Sequence, residues 1–257
     1  MRYAYHFEFC ERPEMPEWLR GDLFLSLAWV QKKFGLQAIL ISTLPKILKS
    51  LNPTKLIELG AGSGDSLAEL AKVSDLSMLA TDKYPQLDLW EKKLEGFKNV
   101  DWSEEQIGFE DFTVTLKREL VTGSVLMLTS AFHHIADRDA ADFLEKAANA
   151  GCHVLIVEPL PRTLVGVLLG ALTGAPALLF PLWAPEVSLW RKLRIVALHW
   201  FFPLIPFILS HDGIVSALRQ RTRADWVRLT QGLKFEPVVQ EGLGIFSNFA
   251  VTLLKCH

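Results

Sequence analysis

Apolar and polar positions change rhythm several times along this 257-residue chain. Short, nearly unbroken apolar runs recur at residues 55–59, 78–81, 125–129 and 153–157. Runs of that length, rich in Leu, Ile and Val, predict strands buried on both faces. Longer stretches with helical spacing separate them, one following Gly64 and another ending near Ala148. Strands alternating with helices predict an α/β fold with a mostly parallel sheet. A weaker strand is placed at residues 99–102. Two short C-terminal segments, 237–239 and 249–254, are further strand candidates. The region before Lys49 reads as two helices split near Gly35. Thr222 and Asp225 have the T-x-x-D spacing that opens a further helix.

Composition changes this picture in one place. Hydrophobic residues make up 50% of the chain, there are eight tryptophans, and mean hydropathy is +0.22. The excess lies mainly in residues 160–210. Between Arg162 and Glu186 stand 23 uncharged residues, enough to cross a bilayer by length. Gly166, Gly170, Gly174, Pro176, Pro181 and Pro185 would interrupt a straight helix there. A second apolar run, 195–210, has Pro203 and Pro206, with His199 its one ionisable group. The basic patch Arg191-Lys192-Leu193-Arg194 joins the two, and Trp183, Trp190 and Trp200 stand near their ends. The pattern predicts a re-entrant or interfacial hairpin. Six Lys/Arg against two Asp/Glu from Glu186 to Arg223 would suit anionic headgroups. The alternatives are a lid over the active site or a subunit interface, and a true membrane-spanning pair. The membrane and lid readings both imply a lipophilic small-molecule substrate.

The net charge of −2 and pI near 6.4 argue against a nucleic-acid partner. Cys10, Cys152 and Cys256 match no metal spacing and suggest a reducing compartment. The first 17 residues have no signal-peptide core. The expected location is therefore cytoplasmic, at the cytoplasmic face of a membrane.

The densest chemistry lies at residues 55–72, where Glu58, Gly60, Gly62 and Gly64 form E-x-G-x-G-x-G between a strand and a helix. A backbone turning sharply against a ligand needs residues without Cβ. The G-x-G-x-x-G spacing of nicotinamide enzymes is not met, because its last position falls on Asp65 or Leu67. An anionic Glu58 also suits a cationic ligand better than a diphosphate. This loop resembles the first motif of class I S-adenosylmethionine-dependent methyltransferases.

The resemblance covers roughly residues 50–160 and the last 35 or so. It implies a Rossmann-like, seven-stranded, mostly parallel sheet with helices on both faces and an antiparallel C-terminal hairpin. The implied domains are an N-terminal helical cap at 1–49, a core at 50–160 and 221–257, and an apolar insertion at 161–220. An insertion after the fifth strand would lie near the carboxyl ends of the strands, where such sheets bind ligands. S-adenosylmethionine is the implied cofactor, held by Glu58, Gly60, Ala61, Gly62, Gly64, Asp82, Lys83, Asp101 and Ser130. Asp82, 18 residues past Gly64, would take the ribose diol, since one carboxylate can accept two O–H bonds. Asp101 would stand by the adenine. Phe132-His133-His134-Ile135-Ala136-Asp137 resembles the L-H-D-W-x-D segment of small-molecule O-methyltransferases, in which the first histidine deprotonates a hydroxyl. His133 is the corresponding base, with His134 or no protein base as alternatives. The missing N-P-P-Y-type motif disfavours amide and nucleobase acceptors, leaving O- or C-methylation. Asp137 and Asp139 suit a helix start better than a metal, so no metal is expected. An S-adenosylmethionine-binding membrane protein without turnover remains a second reading. Residues 212–219 also resemble a D-G-x-x-S-x-x-R segment in a group of bacterial methyltransferases, some with N-termini like residues 7–22.

Overall fold

The computed structural model describes residues 7–109, 112–116, 122–183, 188–243 and 249–256. Ala184 and Pro185 of the apolar run, and Glu186 after it, lie outside the described residues. The chain divides into two compact units, residues 35–159 with 221–257, and residues 1–34 with 160–220. The N-terminal helices are thus shared between them, parting beside Gly35, whose φ is +104°.

The first unit is built on a seven-stranded sheet. Its strands are β1 (Leu56–Leu59), β2 (Met78–Asp82), β3 (Val100–Gln106), β4 (Val125–Thr129), β5 (His153–Pro159), β6 (Phe235–Leu243) and β7 (Phe249–Cys256). Their order is β3-β2-β1-β4-β5-β7-β6. The first five run parallel, and β7 is antiparallel to both β5 and β6. This is the expected sheet. β1, β2 and β4 are buried throughout, as unbroken apolar runs require. β3 is longer than expected and largely polar, as its place at the sheet edge permits. Beneath the sheet, Phe112, Phe143, Phe132 and Trp226 pack in a row with successive ring centroids 4.7, 5.9 and 5.1 Å apart. Thr222 and Asp225 form the predicted capping box on the Arg223–Thr230 helix.

The second unit is helical. Its elements are Glu17–Lys33, Leu164–Ala171, two single turns at Gly174–Ala177 and Phe180–Trp183, Leu189–Val196 extended by a π turn to Phe201, and Leu204–Arg219. The prolines explain this segmentation. Pro203 precedes the last helix, and Pro206 sits in its first turn, where a missing N–H costs no intrahelical bond. Residues 195–210 are therefore broken at Phe202–Pro203, as the prolines suggest, and the final helix carries on beyond them through Arg219. Gly166, Gly170 and Gly174, spaced four apart, mark where backbones nearly touch. A Cβ on Gly170 would lie 2.4 Å from Gly213 O, and one on Gly174 would lie 2.1 Å from Pro206 O.

Polar groups inside this unit are paired over long sequence distances. Asp22, fully buried, accepts from Arg191 Nε at 2.9 Å and Arg194 Nε at 2.8 Å. Two of the three cations expected to meet headgroups are therefore tied, while partly exposed, to a buried acid. The D-G-x-x-S-x-x-R residues also find partners. Asp212 accepts from the Phe9 and Cys10 amides, Ser216 donates to Glu8, and Arg219 donates to Glu11 at 2.6 Å. Helical spacing puts the three on one face, which clasps the N-terminal turn. This accounts physically for the joint presence of the two segments.

Candidate active site

The loops after β1, β3 and β4 meet at Gly60. A Cβ there would lie 3.1 Å from Ala131 Cβ and 3.8 Å from Phe109 Cζ. Gly60, Gly62 and Gly64 have φ of +78°, +52° and +79°, left-handed values that residues with side chains adopt under strain. Gly62 is held at both polar atoms. Its N–H donates to Asp82 Oδ2 at 2.8 Å, and its carbonyl accepts from Trp90 Nε1 at 2.8 Å. The Gly60 and Ala61 amides both donate to Thr81 O. Asp82 ends β2 and also accepts from the Tyr84 amide at 2.8 Å. Backbone donors therefore aim its carboxylate before any ligand arrives. Lys83, the next residue, is exposed.

Glu58 is the one acid in β1, and it is completely buried. Neither carboxyl oxygen has a hydrogen bond of normal geometry, and the Thr129 hydroxyl beside it also lacks one. Burial raises its pKa from 4.5 to about 8, with Asp82 and Asp65 adding to the rise and the Thr129 and Ser66 hydroxyls opposing it. The sequence pattern suggests a standing negative charge, yet below about pH 8 the ligand-free fold favours the protonated form. Unfolding returns the carboxyl to its ordinary value, so between pH 4.5 and about 8 the unfolded chain holds fewer protons. Stability of the ligand-free protein should therefore fall as pH rises through that window. Denaturant unfolding across it should show the decline, and Glu58→Gln should flatten it.

The turn after β4 carries the histidines. Ser130 leaves the strand at φ +54°, and its N–H donates to Val157 O at 2.7 Å. Phe132–His134 then makes one tight turn. His133 is buried against Glu158, near the end of β5. One Glu158 oxygen accepts from the His133 amide at 3.0 Å, and the other lies 2.6 Å from Nδ1. An ionised carboxylate can only accept, so the neutral imidazole carries its proton on Nδ1 and its lone pair on Nε2. The ring of half-buried His134 lies 4.2 Å from that of His133, centroid to centroid. Arg221 secures the turn from below, donating to the Phe132 carbonyl at 3.0 Å and the Ile135 carbonyl at 2.5 Å. Its guanidinium also stacks 4.5 Å from the Phe132 ring. Asp137 is paired with Arg221 and Arg228.

Glu58, the glycine loop with Ala61, Asp82, Ser130, His133 and His134 thus lie along one edge, at the carboxyl ends of parallel strands. Asp101 does not join them. It is the second residue of β3, exposed and beside Leu79, while Gln106 pairs with Asp82 at the far end. The expected strand at 99–102 is only the start of the real one, so Asp101 falls at the opposite edge. Glu158 and Arg221 were not singled out in the sequence. An acid closing the apolar β5 was a usable signal for Glu158. Arg221 gave none, because its partners lie more than 80 residues away. Arg221→Ala should orphan two buried carbonyls and cost roughly 1–3 kcal/mol for each. Arg221→Lys should recover only part, because ammonium lacks the two-pronged fork. Denaturant unfolding measures both.

No protein-family model matches the chain, and no curated protein does. Solved structures do. The methyltransferase domain of bacterial CtHen1-CN superposes with a TM-score of 0.51 at 14% identity, covering 85% of this chain and 99% of that one. The corresponding CtHen1-C domain gives 0.50 at 13% identity, covering 84% and 96%. A SAM dependent methyltransferase from Aquifex aeolicus gives 0.47 at 14%, covering 89% and 97%. The fold is that of the class I methyltransferases.

Proposed function

We propose that this chain is an S-adenosylmethionine-dependent methyltransferase whose acceptor is small and lipophilic. The observation that carries the proposal is the meeting, at one sheet edge, of an orphaned buried carboxyl with a carboxylate-oriented histidine. The residues present fit the cofactor. Both Glu58 oxygens lack a hydrogen bond of normal geometry and suit a cation, and a buried acceptor short of donors is costly until something completes it. The Gly60–Gly64 backbone admits close approach, and Asp82 is aimed to accept from a diol. Bound there, S-adenosylmethionine would supply a methyl group on a positively charged sulfur. A cation beside Glu58 favours its ionised form, so binding should release a proton below about pH 8.

His133 would act as general base toward an acceptor hydroxyl through Nε2, and Glu158 would hold the imidazole and stabilise the imidazolium. That pair favours an enzyme over a binding module, since binding alone needs no oriented base. A carbon acceptor that is already acidic could react without it. Asp101 has no part in this reading. The lipophilic acceptor, and contact with a membrane at its cytoplasmic face, are supported by the apolar exterior of the helical unit. The test is incubation with labelled S-adenosylmethionine and lipid extract, followed by mass spectrometry. S-adenosylhomocysteine together with an acceptor heavier by one methylene supports the proposal. Cofactor binding without turnover on any lipid fraction would instead favour the binding-module reading.

A further inference from the structure

One helix of the helical unit, Leu164–Ala171, turns its large side chains outward. Its glycines face inward, Gly170 against Gly213 of Leu204–Arg219 and Gly166 against Pro161, while Leu164, Val165, Leu168 and Leu172 face outward, Leu164 76% exposed. No charged residue occurs between residues 163 and 183. Small residues inside and large apolar ones outside are the arrangement of helices that pack in lipid, where backbone contact holds them together. The exposed set continues through Leu182, Trp183, Leu189 and Trp190 to Phe201 and Phe202, which are 74% and 72% exposed.

Three further observations say what covers this surface. Among the described residues no single helix is long and apolar enough to cross a membrane. The apolar pair Leu189–Phe201 and Leu204–Arg219 is bent by 67° at its break, which puts Phe201 and Phe202 at a vertex. Exposed tryptophans carry cations, with Lys33 6.0 Å from the Trp183 ring and Arg194 4.9 Å from the Trp18 ring. Such pairs suit the zone where headgroups meet acyl chains. Finally, Asp22 offsets one of the two positive charges of Arg191 and Arg194 and ties both guanidinium groups down, which leaves the apolar surface to supply most of the attachment.

We infer that the helical unit is a one-leaflet membrane anchor, held chiefly by its apolar exterior and with the Phe201–Phe202 vertex entering the acyl region. The inference deepens the membrane part of the proposed function and is independent of methyl transfer. Its occupant is a phospholipid surface of any headgroup charge.

The test is flotation of the full chain with neutral phosphatidylcholine vesicles and with vesicles containing phosphatidylglycerol. Binding should be similar for both and should survive high salt. Leu168→Glu and Phe201→Glu should each weaken partitioning by roughly tenfold or more. Both sites are exposed, so circular dichroism should show unchanged folding. Lipids brominated near the glycerol should quench tryptophan more than lipids brominated near the chain end, because interfacial helices sit only about 5–10 Å deep. Binding confined to anionic vesicles and reversed by salt would overturn the inference, as would strongest quenching from the bilayer centre. So would failure to bind any vesicle, and concentration-dependent dimers would then assign the surface to a second copy. S-adenosylmethionine affinity, measured by calorimetry without vesicles, judges the methyltransferase reading separately.

Discussion

His133→Ala should lower the rate of methyl transfer to a hydroxyl acceptor by roughly 10²–10⁴-fold. Cofactor affinity, measured by calorimetry, should hardly change. The imidazole is placed by Glu158 through both its ring and its backbone amide, so the turn keeps one of those bonds when the ring is lost. Glu158→Gln provides the companion experiment. An amide can accept the same backbone N–H but cannot stabilise an imidazolium, so turnover should fall while the fold persists. The rate should depend on ionisation of His133, and that limb of the pH profile should move in Glu158→Gln. A fall of less than threefold in His133→Ala would remove the histidine from the chemistry and point to an acceptor that needs no protein base.

Gly62→Val should abolish measurable S-adenosylmethionine binding. The residue stands at φ +52°, with its amide bonded to Asp82 and its carbonyl to Trp90. A β-branched side chain resists that conformation. The backbone has to rotate, and the rotation disturbs Asp82, the carboxylate proposed to take the ribose diol. Gly62→Ala should show an intermediate loss, since its single methyl meets less strain. Calorimetry gives the affinities, and thermal unfolding shows whether each variant remains folded. Full affinity in folded Gly62→Val would be incompatible with cofactor binding at this loop.

What could be read in the sequence follows burial. β1, β4 and β5 are buried on both faces, and such strands appear as apolar runs whatever their neighbours. The glycine loop was legible because its conformation excludes most other residues. The capping box at Thr222 was legible because both partners lie within one turn. β3 was seen only in part, since an edge strand with few buried positions leaves little hydrophobic signature beyond Val100. Asp101 was misplaced for that reason. The pairings His133–Glu158, Arg221–Phe132 and Asp22–Arg191 span 25, 89 and 169 residues, and local spacing carries no information about them. The Asp22 pairing matters most, because the Arg191-Lys192-Leu193-Arg194 run reads as a surface patch until its buried partner is known.

That ion pair also bears on how the chain is made. Asp22 is synthesised 169 residues before Arg191 and 172 before Arg194. At about 5–20 residues per second, the Glu17–Lys33 helix waits roughly 10–35 seconds for the cations that neutralise it. It cannot bury Asp22 before then without stranding a charge. By that time β1 to β5 have been synthesised, and the greasy Leu164–Ala171 helix is already waiting for Gly213. The Glu17–Lys33 helix therefore finds its place only after the strands that follow it in sequence have been made.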